Sequence, residues 1–184
     1  MAVFTKLDES EIKQFINLYN IGNLKKFDEI VEGIENTNYK IICSGTAYIL
    51  TIFEKRVKEE DLPFFINLKL YLYKNNFKCP KPIENKKGSI INSLKNKKAI
   101  IISYIEGEKI NIPDINVCLE LGKMIGELHN LTTNFEEKRT NSLDIKEWKN
   151  LFNKCKNNNN NKFDKVLIDL KNEIDFLEKS WPKN

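Results

Sequence analysis

Residues 33–39 read Gly33-Ile34-Glu35-Asn36-Thr37-Asn38-Tyr39, and two apolar, β-rich runs follow at residues 39–43 and 47–53. A short polar stretch led by glycine and set among strands is a strong constraint. The chain must turn back on itself there and build an antiparallel sheet outward from the turn. Gly33 can enter backbone conformations that are closed to other residues. A tight turn of this kind leaves backbone N–H groups facing outward, where an anion can collect. The stretch holds one glycine and matches neither a Walker loop nor a Gly-x-Gly-x-x-Gly loop. An ordinary Asn-rich hairpin turn is therefore the other reading.

The flanking segments read as a small sheet with helices. Ile12, Phe15, Ile16 and Tyr19 recur at helical spacing behind Asp8-Glu9-Ser10-Glu11, which supplies a cap and early carboxylates; Gly22 then reads as the stop. Residues 24–33 read as a first strand carrying Phe27, Ile30 and Val31. Residues 39–43, a Ser44-Gly45 turn and residues 47–53 read as a hairpin. Residues 62–75 read as a helix with Leu62, Phe65, Leu68 and Leu72 on one face and Pro63 in the first turn. Ile90-Ile91 and residues 99–105 read as two strands around a basic turn, the second apolar enough to be buried on both faces. Beyond Pro113-Asp114, Val117, Leu119, Leu121, Met124, Ile125 and Leu128 mark an apolar helix that closes at His129. Residues 157–161 are consecutive asparagines and read as an exposed low-complexity loop; residues 163–181 read as an amphipathic helix with Val166, Leu167, Leu170, Ile174 and Leu177 inward.

Several phrases occur in one order and spacing: Met1-Ala2-Val3-Phe4-Thr5, the stretch at residues 33–39, Ile49-Leu50-Thr51-Ile52-Phe53-Glu54-Lys55-Arg56, Asp61-Leu62-Pro63-Phe64-Phe65, Cys79-Pro80-Lys81-Pro82, and Leu121-Gly122 through Leu128-His129. In these the chain resembles the N-terminal part of the bacterial homoserine kinases of the aminoglycoside-phosphotransferase-like superfamily. The resemblance implies an α+β, protein-kinase-like fold. Residues 1–106 would form a nucleotide-binding N-lobe, a small antiparallel sheet with a helix. Residues 107–184 would begin a mainly helical C-lobe, incomplete and truncated before the catalytic loop. It also implies ATP with Mg2+ as cofactors, and phosphorylation of L-homoserine to O-phospho-L-homoserine in threonine biosynthesis. Another small-molecule kinase of the choline or aminoglycoside type, or a non-catalytic nucleotide-binding fragment, are the alternatives.

On that resemblance Gly33, Asn36, Thr37 and Asn38 would approach phosphates from the turn, and Ser103, Tyr104 and Ile105 would form the hinge that meets adenine. A kinase strand normally presents a lysine to the α/β-phosphates. Thr51 stands at that position here and brings no charge. Lys55 shares its strand face by alternation and is the candidate substitute; a solvated basic pair with Arg56 is the other reading. No catalytic or metal-binding residue is identified. The chain has one histidine, and His129-Asn130-Leu131 does not begin a His-x-Asp-x-x-x-x-Asn string. Asp175-Phe176 is followed by Leu177-Glu178 inside a helical pattern. His129, without a partner at metal or catalytic spacing, reads as structural.

Composition excludes other classes. The net charge is +4, and the lysines at 86, 87, 95, 97 and 98 read as a solvated hairpin without the interleaved aromatics of a nucleic-acid surface. The four cysteines are far apart, which argues against a zinc or redox motif. No run approaches the ~20 apolar residues of a membrane span, and the N-terminus lacks a signal-peptide core. These features give a cytoplasmic protein as the expectation.

Overall fold

The computed structural model describes residues 3–54, 57–157 and 163–182. They divide into two compact units, Met1–Lys138 and Arg139–Asn184.

The first unit is built on a five-stranded antiparallel sheet: β1 (Leu24–Ile30), β2 (Thr37–Cys43), β3 (Thr46–Ile52), β4 (Asn92–Leu94) and β5 (Lys97–Ser103), in spatial order β1-β2-β3-β5-β4. Helix α1 (Glu9–Ile16) precedes it, α2 (Leu62–Lys74) joins β3 to the β4–β5 hairpin, and α3 (Ile115–Thr132) follows. Asp8 caps α1 through a capping box with Glu11. Pro63 sits in the first turn of α2, where its missing N–H costs nothing. Asp114 caps α3, accepting from the Val117 N–H at 2.8 Å.

Two-residue turns set the register. Ser44 and Gly45 both have positive φ (47° and 91°), as do Lys95 and Asn96 (50° and 60°). Such turns match the right-handed twist of the strands they join. The second corrects the strand expected at Ile90-Ile91: pairing outward from Lys95-Asn96 puts β4 at Asn92–Leu94, with Asn92 opposite Ala99. α1 likewise stops at Ile16 rather than near Gly22. Tyr19 still reaches the same core, 5.5 Å ring to ring from Phe15. Gly22 instead allows a close approach of two chain segments. Its φ is +84°, and a Cβ there would fall 2.2 Å from the Ser44 hydroxyl oxygen.

The strands divide residues by alternation. Thr37, Tyr39, Ile41 and Cys43 of β2, Leu50 and Ile52 of β3, and Ala99 and Ile101 of β5 are all buried. Except for Thr37, they form one cluster with Ile12, Phe15 and Ile16 of α1 and with Leu7. Burying such side chains contributes about 1.5–3 kcal/mol each. The N-terminal segment is laid over this face by side-chain hydroxyls. The Tyr39 hydroxyl accepts from the Leu7 N–H at 2.9 Å and donates to the Thr5 carbonyl at 3.0 Å. α2 buries Leu62, Ile66 and Leu72. On α3 Ile115, Leu119, Leu121, Met124 and Ile125 are exposed.

The second unit holds α4 (Trp148–Asn157), a helix the sequence pattern did not suggest, and α5 (Asp164–Ser180). Trp148 meets Trp181 edge-on at 5.4 Å, and Lys149 pairs with Glu178 at 2.6 Å. Ile174 is buried, whereas Val166 and Leu170 of the expected inward stripe are exposed. The asparagine run reaches the described residues only at Asn157, the last residue of α4.

Tyr39→Phe should lower the unfolding free energy by about 1–3 kcal/mol, because a buried N–H and a buried carbonyl lose their partner. Ile34→Ala, at a side chain 72% exposed, should change it by less than about 0.5 kcal/mol. Urea titrations of both variants check this.

Candidate functional site

The face of the sheet opposite the core cluster carries Asn38 and Lys40 of β2, Ile49 and Thr51 of β3, and Ile100 and Ile102 of β5. Register aligns them in rows. Asn38 lies opposite Thr51 and Thr51 opposite Ile100; Lys40 lies opposite Ile49 and Ile49 opposite Ile102. Ile100 is buried, and the other five are half-buried. The result is an apolar floor with a few polar groups, the usual make-up of a small-molecule site.

The turn borders one end of this face. It spans residues 31–36, so Thr37, Asn38 and Tyr39 belong to β2 and not to the turn. Gly33 has φ +110°, and Ile34 points into solvent. Asn36, Asn38 and Thr51 are brought together. The Thr51 hydroxyl donates to Asn38 Oδ1 at 2.8 Å, and the Asn38 amide donates to the Asn36 carbonyl at 3.5 Å. The Glu54 N–H donates to Asn36 Oδ1 at 3.4 Å.

Thr37, grouped with these by sequence, has its side chain on the other face, fully buried. Its hydroxyl oxygen accepts from the Phe4 and Thr5 N–H groups at 3.0 and 3.1 Å and donates to Glu54 Oε1 at 2.7 Å. Its hydroxyl is thus taken up within the protein, and its backbone pairs with Ile52 in the β2–β3 ladder. Glu54 also accepts from the Thr5 hydroxyl at 2.7 Å and makes a close ion pair with Lys97. Burial alone would raise the Glu54 pKa. The Lys97 ammonium and the hydroxyls of Thr5 and Thr37 outweigh it and hold the carboxyl below its ordinary 4.5.

The hinge candidates lie at the other end. Tyr48 of β3 is opposite Ser103, three residues along β3 from Thr51, a separation of ~10 Å. The Ser103 N–H donates to the Lys81 carbonyl at 2.8 Å, and its hydroxyl accepts from the Lys81 N–H at 2.9 Å. The Tyr104 N–H reaches the Ala47 carbonyl at 3.4 Å. Ile105 is exposed. Lys55 lies outside the described residues.

Two residues that the sequence reading passed over now stand out. Lys40 places its ammonium 3.9 Å from the centre of the Tyr104 ring, a cation on the site face next to the hinge. Strand alternation outward from Asn38 was the signal that could have found it. Glu54, named above only as part of the phrase at residues 49–56, is the second. His129 is in the last turn of α3, exposed, with its carbonyl accepting from the Thr132 and Thr133 hydroxyls. Among the described residues no group of three or more His, Cys, Asp or Glu could hold a metal ion, and no helix is long and apolar enough to cross a membrane.

Residues 26–184 match the family model described as the phosphotransferase enzyme family. Over its whole length the chain is 35% identical to a homoserine kinase of Rhizobium etli and 34% identical to one of Beijerinckia indica, and spans 57% of the length of each. Its fold is that of a spectinomycin phosphotransferase solved with ADP and spectinomycin, with a TM-score of 0.68 at 13% identity, over 98% of this chain and 60% of that one. The sheet and its helices are thus those of a protein-kinase-like N-lobe with part of a helical lobe.

The lowered Glu54 pKa makes stability depend on pH. Ionised Glu54 stabilises the fold above pH 4.5, and the contribution is lost as pH falls through the still lower folded value. Glu54→Gln should therefore cost about 1–3 kcal/mol at pH 7. The gap to wild type should narrow below pH 4.5, in denaturant titrations run across that range.

Proposed function

Because the chain belongs to the phosphotransferase enzyme family, we propose that these 184 residues are part of an ATP-dependent homoserine kinase. They would supply its nucleotide-binding lobe (residues 1–106) and the start of its helical lobe (residues 107–184). The observation that carries this reading is the 34–35% identity to homoserine kinases over the entire chain. The reaction is phosphorylation of the L-homoserine hydroxyl in the cytoplasm, and ATP, when bound with Mg2+, supplies the γ-phosphoryl group. The exposed apolar residues of α3 are a surface that a further part of the complete enzyme would cover.

The residues present fit a nucleotide. Ile49 and Ile102 offer an apolar floor for a purine, with the backbone of Ser103, Tyr104 and Ile105 at its edge. The turn at Gly33 and Asn36, together with Asn38 and Thr51, offers hydrogen-bonding groups ~10 Å away, on the side where phosphates would lie. Charge has to come from elsewhere, since Thr51 is neutral and Lys97 is held by Glu54. Lys40 is a cation on this face. A cation–π contact at an exposed site is worth about 0.5–1 kcal/mol, less than the ~1.5–3 kcal/mol of a hydrogen bond to a charged group. A phosphate within reach would therefore draw the ammonium away from Tyr104. On this reading the magnesium ligands and the base for the homoserine hydroxyl would come from other parts of the enzyme, because the segment at His129 does not carry the His-x-Asp-x-x-x-x-Asn pattern.

The 184-residue chain, incubated with MgATP and L-homoserine, should give no O-phosphohomoserine above background, because it lacks the His-x-Asp-x-x-x-x-Asn string; turnover within a few orders of magnitude of the complete enzyme would contradict this. The complete gene product should form it, and failure to do so would overturn the proposed function. In that complete enzyme Gly33→Val should raise KM for ATP by about tenfold or more and that for homoserine far less. Lys40→Met should raise KM for ATP several-fold and reduce its salt dependence, measured between low and high ionic strength.

A further inference from the structure

On the limb of the turn that enters β2, one residue bonds to both Asn36 and Thr37. Glu54 holds Asn36 through its backbone N–H and Thr37 through its carboxylate, one bond on each side of the boundary between turn and strand. The carboxylate is itself fixed. It is almost wholly buried (side chain 7% exposed), paired with Lys97 from the start of β5, and bonded to the Thr5 hydroxyl. A second chain of bonds leaves the same place: Asn36 accepts from Asn38, which accepts from Thr51. The network thus begins on the core face, passes through the end of β3, and emerges on the opposite face among the groups assigned above to the phosphates.

We propose that Glu54 is a positioning residue for the nucleotide. By fixing Asn36 and Thr37 against the end of β3, it sets where the turn at residues 31–36 stands relative to Asn38 and Thr51. It thereby governs affinity for the nucleotide's phosphates without touching them. The proposal rests on the nucleotide reading of this face. It assigns a role to a residue on the far side of the sheet, and it predicts an effect on the nucleotide alone.

The test uses the complete gene product, with three variants. Glu54→Leu removes the carboxylate, Thr37→Val removes the hydroxyl that links it to β2 while keeping the shape, and Ile41→Val is a core change in the same strand two turns of the pleat away from the network. Glu54→Leu and Thr37→Val should each raise KM for ATP about tenfold while leaving KM for homoserine within about twofold. Glu54→Gln, which retains an acceptor for the Thr37 hydroxyl, should recover most of the loss. Ile41→Val should leave both constants in place even where its melting temperature falls as far. Equal rises in both KM values, no rise in either, or the same ATP effect from Ile41→Val would overturn the proposal.

Amide hydrogen exchange on the nucleotide-free protein gives a second readout. Glu54→Leu should speed exchange across residues 31–38 about tenfold or more, with the middle of β5 unchanged. Unaltered exchange in residues 31–38, or an equal increase throughout the sheet, would also overturn it. This measurement needs no kinase activity. If the wild-type protein fails to phosphorylate homoserine, the proposed function falls, while exchange still decides whether Glu54 holds the turn.

Discussion

A carboxylate taken out of water at the end of β3 joins four segments of this molecule. Removing Glu54 from solvent is unfavourable by itself, and the pairing with Lys97 of β5 and the hydroxyls of Thr5 and Thr37 more than offsets it. Each partner comes from a different piece of chain: the N-terminal segment, β2 and β5. Thr37 extends the link by accepting two further amides, from Phe4 and Thr5. Tyr39, two residues along the same face, repeats the arrangement with Leu7 and Thr5. The N-terminal segment is therefore held to the sheet by polar groups aimed inward from β2, and the apolar cluster closes beside them. Such a node tolerates little, because losing one partner leaves the others buried and unsatisfied.

Much of the sheet was legible because its signals are local. Ser44-Gly45 between two apolar runs specifies a hairpin, and alternation in residues 39–43 specifies which side chains face the core. The misses have local causes too. Ile90-Ile91 has the composition of a strand, yet the left-handed pair Lys95-Asn96 sets the register two residues later. Tyr19 keeps helical spacing with Phe15 and the same core, although the helix has ended. α4 carries lysines and asparagines through most of its length, and its helical period was lost among them.

The candidate site was legible in part, for a related reason. Asn36, Asn38 and Thr51 are near one another in space, as a turn followed by two paired strands requires. Thr37 sits between two of them in sequence and so was read with them, but strand alternation sends its hydroxyl to the opposite face. Lys40 was overlooked although the same alternation places it with Asn38. The Glu54–Thr37 bond spans 17 residues and the Thr5–Glu54 bond 49. Contacts at such separations depend on how the sheet closes, and no short motif announces them.

The two faces of the sheet cannot be altered independently. On one side the strands bury Tyr39, Ile41, Leu50, Ile52 and Ile101 almost completely; on the other they hold Asn38, Lys40, Ile49 and Thr51 half-exposed. A slip of one residue in any strand would exchange the sets, driving Lys40 and Thr51 into the core and Tyr39 and Leu50 into solvent. The apolar set makes that slip costly, since each buried side chain it exposed would lose about 1.5–3 kcal/mol. The packing of the core face is thus what aims the polar residues of the opposite face. The left-handed turns at Ser44-Gly45 and Lys95-Asn96, which fix the registers of two hairpins, help decide which side chains it presents.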